Sequence, residues 1–237
     1  MSSALWYALI AALGNVLGGV TVVRGQRLGL RFIEGLVAFG AGFMISVALV
    51  AILPEALERG GASAAAFALL GYLLVHLSQH TVTEHFHFGE ETHAVSPVAG
   101  ETALLGLLLH TFFDGVAIAS GFAVRTDLGV LVFLAVLFHK LPEGVTIASL
   151  QIAVGRSPAV ALASAAVLGV ATLIGVLVTD SVAFLAAHGL ALSAGVTIYV
   201  AASNLVPEFQ GKSGWRLPLA FFAGAGAFLL ARVMLEA

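Results

Sequence analysis

The sequence predicts an all-α integral membrane protein with eight transmembrane helices in a 3+2+3 inverted-repeat arrangement. Three observations carry that expectation. Of the 237 residues, 60% are hydrophobic and only 10% charged, with a mean hydropathy of +1.06. Soluble domains carry about 25% charged residues. The apolar residues gather into runs of about 20, the length needed to cross a bilayer as a helix. Two internal repeats link spans that run in opposite directions. No ten-residue alternation of the kind an outer-membrane barrel needs is present.

The spans fall at roughly 4–23, 32–56, 62–80, 101–124, 128–152, 158–180, 190–209 and 215–235. The first, MSSALWYALIAAL onward, has no basic leader and no cleavage signal, so it reads as a span rather than a removed peptide. Short connections carry breakers and charges: Arg24 to Arg31, Arg59-Gly60-Gly61, Arg125-Thr126-Asp127, Gly155 to Pro158, and Gly211 to Trp215. With the N-terminus outside, Arg24, Arg27, Arg31, Arg156, Lys212 and Arg216 face the cytoplasm, against Arg59, Arg125 and Arg232 outside. Basic residues favour the cytoplasmic side. The expectation is a multi-pass cell-membrane protein with both termini extracytoplasmic. Residues 1–237 are expected to form a single transmembrane domain, with residues 81–100 as a His-rich cytoplasmic loop within it.

The stretch HTFFDGVAIAS from His110 recurs as HKLPEGVTIAS from His139, identical at six of eleven positions. The fourth and fifth spans are consecutive and hence antiparallel, so the repeat is inverted. A weaker repeat aligns GFMISVALVAILPEA from Gly42 with GVTIYVAASNLVPEF from Gly195. Inverted repeats around a midplane site suit a carrier reached alternately from two sides.

Each copy of the first repeat places a histidine and a carboxylate four residues apart: His110 with Asp114, His139 with Glu143. Four residues make about one helical turn, so each pair projects from one face. Ionisable groups inside a membrane are costly and usually functional. Imidazole nitrogens with carboxylate oxygens suit Zn²⁺, and also Fe²⁺, Mn²⁺ or Cd²⁺, whereas Cu⁺ prefers sulfur. The cation is a transported substrate, and no organic cofactor is implied. A single His–carboxylate pair is often a helix-packing hydrogen bond; its duplication favours a metal site.

Other candidates surround this set. Lys140 lies one turn from Glu143, deep in its span, as a fixed counter-charge or a snorkelling side chain. Met44 offers a thioether, although methionine more often simply packs. Pro54-Glu55, Pro142-Glu143 and Pro207-Glu208 place a helix-breaking proline before a carboxylate. The longest loop holds His80, His85, His87 and His93 among acidic residues, and His-rich tracts bind metals. There are no cysteines, which excludes thiolate ligands and disulfides. The apolar composition makes the lipid bilayer a partner, and a net charge of −3 without a basic cluster gives no sign of nucleic acid. Whether the protein forms a homodimer is left open.

These motifs resemble the fourth- and fifth-span signatures of the ZIP (Zrt/Irt-like) family of divalent-metal transporters, in its compact prokaryotic form. The resemblance covers the whole chain, including a His-rich loop between the third and fourth spans. It implies zinc uptake into the cytoplasm through a midplane site made by His110, Asp114, His139 and Glu143. It also implies Met44 at the site entrance and Glu208, in a VPE segment, on the release path. Many members hold a second metal through an Asn after the first histidine and an acid after the second. Here those positions are Thr111 and Lys140, and the sixth span, SAAVLGVATLIG, lacks a glutamate. The expectation is one metal per site, with Lys140 standing in for the second. The rival from another class is a membrane-embedded zinc hydrolase. No HExxH sequence supports it, and inverted symmetry has no catalytic use.

Overall fold

The computed structural model describes residues 3–25, 29–81 and 97–236, and the regular structure among them is helical. In order these are α1 (Ser3–Val23), α2 (Leu30–Val47), α3 (Leu53–Thr81), α4 (Pro97–Val124) and α5 (Thr126–Ala153). There follow α6 (Pro158–Ser181), α7 (Ala183–Tyr199), α8 (Pro207–Gln210) and α9 (Arg216–Glu236). Two π-helical segments, Ala48–Ile52 and Val200–Leu205, join α2 to α3 and α7 to α8. Among the described residues, seven helical stretches are long and apolar enough to cross a membrane. The chain is therefore an all-α, multi-pass membrane protein.

One of those stretches, Leu30–Gln79, has 50 residues. At about 1.5 Å per residue it would be about 75 Å long, more than twice the hydrocarbon thickness of about 30 Å. Gly61 interrupts it with φ 55 and ψ −143. A side chain there would meet no neighbouring atom, so the backbone conformation, not space, requires glycine. The helix at α7 starts at Ala183, earlier than the apolar run at 190 suggests. Gly189 lets α7 approach α4, since a Cβ there would lie 2.6 Å from Ser120 Oγ.

The π segments have a common cause. Pro54 and Pro207 have no N–H, so Val50 and Ser203 lose their usual helical donors. The turn before each proline widens: Leu53 N donates to Ala48 O, and Val206 N donates to Ala201 O at 3.0 Å. These are equivalent positions in the aligned repeat, offset by the distance from Gly42 to Gly195. The Val50 carbonyl is recovered by Arg232 Nη1, which donates to it at 3.1 Å.

Helices meet through reciprocal glycines. A Cβ on Gly18 of α1 would collide with the Leu141 carbonyl of α5, and one on Gly144 would collide with the Asn15 carbonyl of α1. Gly115 and Gly175 serve α4 and α6 in the same way, Gly42 and Gly224 serve α2 and α9, and Gly71 and Gly195 serve α3 and α7. In lipid, where apolar burial against another helix gains little, such close van der Waals approach holds helices together. The result is one group of α1, α4, α5 and α6, flanked by the pair α2 and α9 against α5 and the pair α3 and α7 against α4.

Two sets of ion pairs tie helix ends. Glu34 of α2 meets Lys212 at 2.9 Å and Arg216 of α9 at 2.6 Å. Arg125, between α4 and α5, meets Glu55 at 3.3 Å, Asp127 at 2.9 Å and Glu236 at 3.7 Å. Such partly exposed pairs contribute about 0–1 kcal/mol each, so they orient helix ends more than they stabilise them.

Candidate metal centre

The two copies of the repeated His/carboxylate motif face each other across the contact between α4 and α5. His110 and Asp114 project from α4, His139 and Glu143 from α5, and all four are buried. One ligand atom from each lies within 4.8 Å of the others. His139 Nε2 is 3.2 Å from Asp114 Oδ2. His110 Nε2 is 3.5 Å from the same oxygen and 4.0 Å from Glu143 Oε1. A tetrahedral zinc with bonds of about 2.0–2.2 Å separates its ligands by about 3.3–3.6 Å. The separations at 3.2 and 3.5 Å already match that spacing, whereas the widest, up to 4.8 Å, must close by about 1 Å to surround one such ion.

Hydrogen bonds behind the site set the chemistry. His139 Nδ1 donates to the Ala135 carbonyl at 3.0 Å. With that nitrogen carrying the proton, a neutral ring turns the Nε2 lone pair toward Asp114. A lone pair and a carboxylate oxygen facing each other form an arrangement that a shared cation stabilises. His110 Nδ1 and Glu143 Oε1 are buried without a hydrogen-bond partner. Buried polar atoms are normally paired, and Glu143 Oε1 is the oxygen turned toward His110.

Lys140 is fully buried. Its Nζ lies 2.7 Å from Asp114 Oδ2 and 2.8 Å from Glu143 Oε2. It therefore does not snorkel; it bridges the two carboxylates. With neutral imidazoles, two carboxylates and one ammonium leave the cluster with one net negative charge. Thr111 is also buried, but its hydroxyl donates to the carbonyls of Leu107 at 2.8 Å and Leu108 at 3.1 Å. That hydroxyl is turned to its own helix rather than to the site.

Sequence reasoning missed Asn15. It is fully buried in α1, at the Gly14–Gly18 contact with α5. Its amide faces two acceptors, so the nitrogen is on that side: Nδ2 donates to Lys140 O at 2.6 Å and to Glu143 Oε2 at 3.2 Å. The signal was present, because a lone asparagine in an apolar first span is a polar exception. Only the packing of α1 on α5 reveals what it serves.

A cavity of about 550 Å³ reaches the site and is lined by His110, His139, Glu143, Glu34, Gln79 and Glu208, among apolar neighbours. Its walls come from the start of α2, the end of α3, the first half of α4, the second half of α5 and the α7–α8 junction. Glu208 thus lies on the same cavity as the cluster. Met44 is buried in the apolar core of α2, where neighbouring Phe43 packs on Phe138 of α5. Of the loop histidines, His85, His87 and His93 lie outside the described residues, and only the backbone of His80, at the end of α3, is described.

Residues 75–232 match the family described as "ZIP Zinc transporter". Zinc transporter ZIP9-A of Xenopus laevis is 30% identical over 156 residues, covering 60% of this chain and 52% of that protein. Zinc transporter ZIP9 of Micropogonias undulatus is 30% identical over 156 residues, covering 60% of this chain and 50% of that protein. The chain spans about half the length of the curated relatives it matches. The family match runs from the second half of α3 into α9 and holds both copies of the His/carboxylate motif, so the chain belongs to the ZIP zinc transporter family.

Proposed function

We propose that the protein carries divalent cations, zinc above all, into the cytoplasm through the site made by His110, Asp114, His139 and Glu143. The observation that carries this is the convergence of two imidazoles and two carboxylates, one pair from each copy of the repeat, within 4.8 Å in a buried place. The donor set also suits Fe²⁺, Mn²⁺ and Cd²⁺. The zinc transporter relatives support zinc as the main cargo.

The helix count in this reading is eight, because the break at Gly61 divides the 50-residue run into two crossings. Spans one to three and six to eight then form the inverted repeats around a central pair, and the matching π segments support that symmetry. The whole chain acts as one transport domain, with residues 81–100 as a cytoplasmic loop whose histidines bind metal. Alternating span directions bring the cavity-lining ends to the face carrying Arg24, Arg156, Lys212 and Arg216. The basic-residue bias makes that face cytoplasmic. The cavity then opens inward, with Glu208 along the release path. The ion pairs of Arg125 lie on the outer face, the side on which Met44 would guard access.

Purified protein in zinc-indicator vesicles should show zinc influx above empty vesicles, and competition by Fe²⁺, Mn²⁺ and Cd²⁺ should rank the cargo. Flux equal to that of empty vesicles would remove the transport reading. Sidedness has its own test. With no native cysteine, Asp127→Cys should react with an impermeant thiol reagent added outside intact cells. Glu90→Cys should react only after the cytoplasmic side is opened. The reverse pattern would invert the topology.

A further inference from the structure

We infer that Asn15 is a positioning residue of the metal site that sets how Glu143 presents its carboxylate. The inference rests on the transport-site reading above and extends it to a helix outside the repeat motif. Glu143 has two oxygens with different surroundings. Oε2 accepts from Lys140 Nζ at 2.8 Å and from Asn15 Nδ2 at 3.2 Å. Oε1 has no hydrogen-bond partner and points toward His110, 4.0 Å away. One oxygen is held at the back while the other alone faces the site.

The backbone makes Asn15 a precise anchor. Gly14, Gly18 and Gly144 bring α1 and α5 into contact, such that a Cβ on Gly144 would collide with the Asn15 carbonyl. Pro142 removes a helical donor from α5 one residue before Glu143. Asn15 Nδ2 also donates to Lys140 O at 2.6 Å, on the same turn. A single short side chain therefore ties both the weakened backbone of α5 and its carboxylate to α1. Groups behind a metal ligand, hydrogen-bonded to it, typically change metal affinity about 10–100-fold when removed.

The consequence is specificity. A carboxylate with one free oxygen coordinates through that oxygen, which suits a small four-coordinate ion such as zinc. A larger ion such as Cd²⁺ gains more from a carboxylate free to offer both oxygens. Asn15, together with Lys140, thus disfavours the larger ion.

The test uses the full chain in vesicles, with zinc and cadmium uptake measured separately. Asn15→Leu keeps the shape branched at Cγ and loses the donor, whereas Asn15→Ser loses volume and keeps a donor. Asn15→Leu is expected to raise the KM for zinc about 10–100-fold, with Vmax largely kept, and to lower the zinc-to-cadmium preference. Asn15→Ser should recover part of both. If Asn15→Leu fails to insert, Asn15→Ala against Asn15→Ser makes the same comparison. An unchanged zinc KM and preference in the donor-free variant, or a serine variant worse than it, would show that Asn15 only packs. Glu143→Ala is measured alongside. If it keeps native uptake, Glu143 is not a ligand and the reading of the site fails at that residue; if it loses uptake while the Asn15 variants behave as native, only the present inference fails.

Discussion

His110→Ala, Asp114→Ala, His139→Ala and Glu143→Ala should each reduce zinc uptake to near background while leaving insertion intact. The four side chains converge within 4.8 Å, so each variant removes one of four donors. Loss of a group merely supporting a ligand costs about 10–100-fold in metal affinity, and a direct ligand should cost at least the upper end of that range. Asp114→Ala should be the most severe. Its Oδ2 faces both histidines and Lys140, so its removal also leaves the ammonium with one partner. Uptake in vesicles, normalised to inserted protein, is the measurement. Near-native flux in any two of the four variants would remove the assignment.

Lys140→Ala should destabilise the metal-free protein and strengthen its response to metal. Lys140 Nζ bridges Asp114 and Glu143 at 2.7 and 2.8 Å, fully buried. At an effective dielectric near 20, one such pair is worth roughly 4–6 kcal/mol of attraction before desolvation. Removing one partner of a buried ion pair typically costs about 3–5 kcal/mol, because the remaining charge is stranded. In the variant two carboxylates face each other without a cation, so zinc binding relieves more repulsion than in the native chain. The expected result is a lower melting temperature without metal, a larger rise on adding zinc, and continued uptake with a lower KM. The native site should hold one zinc, since Thr111 directs its hydroxyl to Leu107 and Leu108. Lys140→Asp combined with Thr111→Asn should admit a second. Metal-to-protein stoichiometry after deletion of the His-rich loop reads this directly. Two zinc ions at the native site, or a zinc response in Lys140→Ala equal to the native one, would overturn this account.

Lys140 and Asn15 mark where one-dimensional reasoning reached its limit. A lysine one turn from Glu143 is visible in the sequence, but its direction is not. It could have extended along the helix to an interface, as long basic side chains do. Its place between two carboxylates depends on α4 and α5 lying face to face. Asn15 is 128 residues from Glu143 in the chain, and no spacing rule links them. The glycine contacts of α1 with α5 bring them together.

The π segments show a related limit. Prolines at 54 and 207 announce a disturbed helix, and the aligned repeat announces that it occurs twice. That the disturbance widens the preceding turn, and that Arg232 recovers the Val50 carbonyl, are choices made among distant parts of the chain.

By itself, the sequence determined the helical membrane class, the apolar runs, the repeated motif and its four-residue His/carboxylate spacing, because these depend on hydrophobic run length and on the helical period, both local properties. The tertiary structure alone decided that the two pairs meet, which oxygen of Glu143 faces them, that Lys140 bridges the carboxylates and that Asn15 stands behind the site. Those depend on which helix faces which. In an apolar protein nearly every face is hydrophobic, so hydropathy cannot choose the partners; the positions of small residues that allow two backbones to touch do.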